Sequence, residues 1–133
     1  VSTHYRPGKR VYKAISKHGK TKMKKDEYIY ECELIRVVDG DTVRLRVDLG
    51  FNMTFSDNFR LFNIDAPELR GEERDDGLLS KQFLIDTLGD KKLTIRSHKY
   101  RGKYGRYIVD LYADDEWMNA LMIKEGHAIR KEY

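Results

Sequence analysis

The feature that most constrains this chain is a strict two-residue alternation just after an Asp-Gly pair. Val43, Leu45, Val47 and Leu49 alternate with Thr42, Arg44, Arg46 and Asp48, which is the pattern of a strand with one face buried. Upstream, Tyr28, Tyr30, Cys32 and Leu34 share one parity in a run rich in Tyr, Ile and Val. Two such runs joined at Asp39-Gly40 predict a β-hairpin. Phe51–Asn58 reads as a turn or short irregular crossing, and Phe59–Ile64 as a third strand.

A helix is expected next, capped by Asp75 or Asp76 and stopped by Gly89, with Leu78, Leu79, Phe83, Ile85 and Leu88 on its apolar face. Leu93–Ser97 and Tyr107–Ala113 read as further strands. A second helix is expected from Asp114 or Asp115 to Gly126, burying Trp117, Leu121 and Met122. The predicted order is β-β-β-α-β-β-α. A five-stranded OB-fold barrel has this order, as do other α+β arrangements.

At 133 residues the chain holds one domain's worth of core. It has no apolar run long enough to span a bilayer, and Val1 is followed by no segment resembling a secretion signal. No membrane association is expected, an intracellular location is favoured over secretion, and a monomer is expected. A single cysteine excludes an intrachain disulfide framework, and the four scattered histidines argue against zinc. Residues 1–25 hold nine of the 26 basic residues and no acid, which leaves 17 basic against 22 acidic residues downstream, a net −5. The expected division is a basic, largely irregular arm over residues 1–27, with a short helix near Tyr12–Ser16, and a folded domain over 28–133. The arm is either a solvated tail or a source of phosphate contacts.

Three segments can carry chemistry. In Asp39-Gly40-Asp41-Thr42 the first Asp and the Gly satisfy a turn, so Asp41 is an additional carboxylate where a strand begins. In Arg60-Leu61-Phe62-Asn63-Ile64-Asp65-Ala66-Pro67-Glu68, Arg60 shares parity with apolar residues, which is costly unless its charge meets an anion. Asp65 and Glu68 follow within four residues and are expected to converge, where a hard cation with oxygen ligands would relieve their repulsion. Lys99-Tyr100-Arg101-Gly102-Lys103-Tyr104-Gly105-Arg106 interleaves basic and aromatic residues suited to phosphates and bases. Carboxylates for a metal and for water activation, together with two arginines, are the parts that phosphodiester hydrolysis needs.

Over about residues 30–130 these segments resemble the staphylococcal nuclease family. The similarity rests on Val38-Asp39-Gly40-Asp41-Thr42-Val43, Phe59-Arg60-Leu61, Ile64-Asp65-Ala66-Pro67-Glu68, Lys103-Tyr104-Gly105-Arg106 and Asn119-Ala120-Leu121 before Gly126. The resemblance implies an OB-fold barrel, a calcium ion in preference to magnesium, and hydrolysis of DNA or RNA to 3′-phosphate ends. It implies Asp41, Asp65 and the carbonyl of Ala66 as metal ligands, and Glu68 as general base. Arg60 and Arg106 would grip the phosphate, with Lys103 and Tyr104 in contact with the nucleotide. Family members often carry Thr in place of Ala66, a change that a backbone ligand tolerates. The acidic loop Leu69–Gly77 departs from the family, and the sequence ends at Tyr133, ahead of the family's third helix, so no stacking tyrosine is assigned there. The competing expectation is an OB module that binds nucleic acid or protein without cutting.

Overall fold

In the computed structural model, residues 28–101 and 105–132 are described. Alternating apolar residues build a long meander, β1 (Ile29–Asp39), β2 (Thr42–Gly50) and β3 (Met53–Leu61), followed by the two-residue β4 (Ile64–Asp65). A 3₁₀ turn, Gly71–Glu73, leads into helix α1 (Arg74–Leu88). Strands β5 (Leu93–Arg101) and β6 (Tyr107–Ala113), the short β7 (Glu116–Trp117), helix α2 (Met118–Lys124) and β8 (Ile129–Arg130) complete the order.

The strands close on themselves. β1 pairs with β2 and β5, β2 with β3, and β5 with β6, all antiparallel. A parallel pairing of Phe59–Leu61 with Tyr107–Val109 joins β3 to β6 and shuts a five-stranded barrel. The expected OB-type α+β barrel is therefore the observed fold. Val43, Leu45, Leu61, Ile95, Val109 and Leu111 fill its interior. Leu84 and Leu88 of α1 enter the same core, each worth about 2–3 kcal/mol of apolar burial.

Three local expectations need correction. β3 begins at Met53, so the segment expected to be irregular is mostly strand, and the turn is confined to Phe51 and Asn52, both at positive φ. The buried face of α1 is Gly77, Ser80, Leu84 and Leu88, while Leu78, Leu79 and Ile85 face solvent. Small residues line it because the helix lies close to the hairpin turn. A Cβ on Gly40 would collide with Ser80 Oγ and stand 2.7 Å from Ala66 Cβ. Finally, Asp114 and Asp115 cap no helix. Their positive φ values make them the turn between β6 and β7, so α2 starts at Met118 and Trp117 is left 46% exposed. Gly89 does end α1, with its N–H on Ile85 O at 3.1 Å.

Candidate active site

The close seat of Gly40 against Ser80 and Ala66 brings the start of β2 beside the chain that follows β4. The Ala66 N–H donates to Asp41 Oδ2 at 2.8 Å, and the Asp41 carbonyl accepts from Leu61 N–H at 2.8 Å. Asp41 is therefore held by backbone on both sides and is only 6% exposed.

Register supplies the next residue. Thr42 lies opposite Arg60 in the β2–β3 pair, so Arg60 projects beside Asp41. Arg60 Nη1 is 2.5 Å from Asp41 Oδ2, and Nη2 is 3.2 Å from Asp65 Oδ1. At 7% exposure, Arg60 depends on these carboxylates to offset the cost of burying its charge. Thr42 connects the second arginine. Its Oγ1 donates to Asp41 Oδ1 at 3.0 Å and accepts from Arg106 Nη1 at 3.3 Å. Arg106 directly precedes β6, after Gly105 at φ 73°, a conformation that favours glycine.

Asp41, Arg60, Asp65 and Arg106 are thus brought together. Glu68 is not. Its carboxylate is exposed and pairs with Arg70 at 3.5 Å, while its N–H is taken by Glu73 Oε1. Beyond the Pro67 turn, Glu68 makes its contacts with Arg70 and Glu73 of the loop that follows. Lys103 and Tyr104 lie outside the described residues, as does the arm of residues 1–27.

Sequence reasoning passed over two participants. Thr42 was recognisable only through its register with Arg60. Asp39, credited with the turn alone, accepts the Asp41 N–H at 3.1 Å. Burial, followed by the hydrogen bond and negative charge of Asp41, pushes its carboxyl up to about 7. For Asp41, burial acts to raise the pKa, but the Asp39 hydrogen bond, the Arg60 charge and the Ala66 N–H outweigh it and hold the carboxyl below its ordinary value.

Among the described residues no trio of His, Cys, Asp or Glu is placed to hold a metal. A cation here would rest on Asp41, Asp65, a backbone carbonyl such as that of Ala66, and solvent. An all-oxygen set of this kind suits a hard ion that keeps some of its water. Such an ion would share both carboxylates with Arg60.

A closed five-stranded barrel that carries two aspartates, in the turn before β2 and on β4, and two arginines, on β3 and just before β6, defines an OB-type domain with a charged polar site. A sequence model of the family described as "Staphylococcal nuclease homologue" matches residues 58–133, more than half of the chain. The chain belongs to that family.

Proposed function

We propose that the chain is a metal-dependent phosphodiesterase that hydrolyses DNA or RNA. The observation that carries this reading is the junction at Thr42, where Arg106 adjoins the buried Asp41–Arg60 pair and its half-exposed partner Asp65. Two guanidiniums facing two carboxylates are nearly neutral together, so an incoming phosphodiester needs further positive charge. A divalent cation fits that requirement, held by Asp41, Asp65 and the Ala66 carbonyl, with calcium preferred over magnesium on the family resemblance.

When bound, the cation supplies Lewis-acid stabilisation of the charge that develops on the phosphate. Arg60 and Arg106 donate to the non-bridging oxygens as that charge grows. A water attacks phosphorus, and Glu68, beyond the Pro67 turn, accepts its proton. The bond from phosphorus to the 5′ oxygen breaks, and that oxygen takes a proton to leave as a hydroxyl, so that the phosphate stays on the 3′ side. Lys103 and Tyr104 contact the nucleotide, and the arm of residues 1–27 adds phosphate contacts.

A non-cutting adaptor is the second reading. It is favoured by the outward pairing of Glu68 with Arg70 and by the use of Arg60 on both carboxylates. Digestion of single-stranded DNA with calcium and then with chelator separates the two. Cutting only with calcium is expected; persistence in chelator removes the metal, and silence in both assigns the adaptor. For the arm, deleting residues 1–27 should weaken binding more at low salt than at high salt, and parallel salt series would return it to a solvated tail.

A further inference from the structure

Helix α1 carries apolar residues on two sides, and the barrel covers one of them. Gly77, Ser80, Leu84 and Leu88 face the core. On the far side Leu78, Leu79 and Ile85 are 41%, 62% and 38% exposed. Asp75, Leu78, Leu79, Gln82 and Ile85 follow one another at helical spacing and form a continuous ridge. Together with Lys81 they line a shallow groove of about 700 Å³. A helix that rests on a core by one face ordinarily presents polar residues on the opposite one. Here large aliphatic side chains stand there instead.

The ridge is bordered by acid. Residues 71–88 hold five acidic side chains against two basic ones. Asp75, Asp76 and Asp86 are exposed, and among the described residues none of the three forms an ion pair. An apolar strip between such carboxylates fits a partner that is apolar on one side and basic beside it.

The arm contains a segment of that kind. Residues 9–18, which lie outside the described residues, read Lys-Arg-Val-Tyr-Lys-Ala-Ile-Ser-Lys-His. At helical spacing Lys9, Lys13 and Lys17 fall on one side, and Val11, Ile15 and His18 on another with Tyr12 and Ala14 beside them. Pro7-Gly8 before the segment and Gly19 after it are boundary signals. A helix this short is marginal alone in water and needs a surface for its apolar side. The surface is within reach. Residues 19–27 extend to about 30 Å, and they join β1, whose Cys32 lies opposite Leu93 shortly after α1 ends.

We propose that the outer face of α1 is the docking surface for the basic arm of the same chain. Residues 9–18 lie along α1 as a short helix, with Val11, Tyr12 and Ile15 covering Leu78, Leu79 and Ile85. Basic side chains at the border of that helix meet Asp75, Asp76 and Asp86. The arm is then a seated element and not a free tail. No residue of the candidate active site takes part, so the docking holds whether or not the chain cuts nucleic acid.

The test is amide hydrogen exchange, read by mass spectrometry on the whole chain without nucleic acid. Amides of residues 9–18 should exchange about tenfold more slowly than the unfolded sequence, or slower still. Leu79→Ser and Ile15→Ser should each restore the unfolded rate there and leave β2 and β6 protected, and the two together should do no more than one. Ile15 belongs to the arm, so Ile15→Ser reads the contact even where Leu79→Ser impairs folding. Exchange at the unfolded rate in the wild type overturns the docking and leaves a solvated tail. Protection that survives Leu79→Ser in a folded chain also overturns it, since the arm would be seated elsewhere. Protection that fades on dilution of a dimer would assign α1 to the arm of a second copy. Protection that appears only with phosphatidylserine vesicles would assign the arm to a lipid surface. Either result overturns docking within one chain.

Discussion

The guanidinium of Arg60 lies 2.5 Å from the carboxylate of Asp41, and both side chains are 9% exposed. Such a pair adds little net stability compared with an apolar isostere, yet removing one partner strands a buried charge. In the function proposed above, the same guanidinium also meets the phosphate of the substrate.

Replacing Arg60 with Gln should therefore cost about 3–5 kcal/mol, because Asp41 is left buried without its counter-charge. Cleavage of single-stranded DNA should fall by about a hundredfold or more at a temperature where the variant stays folded. Chemical denaturation and a cleavage assay measure the two effects separately. A variant with wild-type stability would show that the pair is not held as described.

Asp39 predicts a pH dependence. Its carboxyl moves from 3.8 to about 7 on folding. Between those values the folded chain keeps a proton that the unfolded chain has released, so this group's contribution to stability falls as pH rises through the window. Asp39→Asn imitates the protonated form. Its advantage over wild type should grow from about pH 4 to 7 and then level off. Parallel stability curves across that range would contradict the shift. Asp41 acts in the opposite sense, and its contribution is lost as acid carries the pH below 3.8.

Trp117, the only tryptophan, reports on a second polar group on the barrel wall. Its Nε1 donates to Asp110 Oδ1 at 3.1 Å, while His98 Nε2 lies 2.9 Å from Asp110 Oδ2 and stacks on Phe62. Asp110 is 6% exposed. Asp110→Leu should destabilise the chain by about 3 kcal/mol and shift the emission maximum of Trp117, since the indole and imidazole lose a buried acceptor. Unchanged emission would show that the indole does not make this bond in solution.

Much of the fold was legible in the sequence for identifiable reasons. The β1–β2 hairpin, the limits of β6 and the stop at Gly89 are set by local alternation and backbone conformation, which short windows carry. β3 was misjudged because its first half packs against no core, so Met53–Asn58 shows no burial pattern. Asp114-Asp115 looks like a helix cap in one dimension, but both residues take left-handed conformations that build a hairpin turn. At the site, Asp41, Arg60, Asp65 and Arg106 were visible as charges in places where apolar or turn residues would suffice. Thr42 and Asp39 were hidden because their roles arise from register and proximity. The pairing of Glu68 with Arg70 was hidden because sequence spacing does not give the direction in which a proline turn points a side chain.

The three-residue clasp between β3 and β6 has a consequence for the order in which the charged site is assembled. Arg60 lies within the clasp and Arg106 at its threshold, in segments far apart along the chain. Arg60 is set beside Asp41 by the β2–β3 hairpin, but Arg106 meets Thr42 across the closure, so an intermediate with every hairpin formed and the clasp open lacks the second guanidinium. If the chain cuts as proposed, recovery of cleavage after dilution from denaturant is a clock for ring closure, set by the last long-range contact and not by the hairpins that precede it.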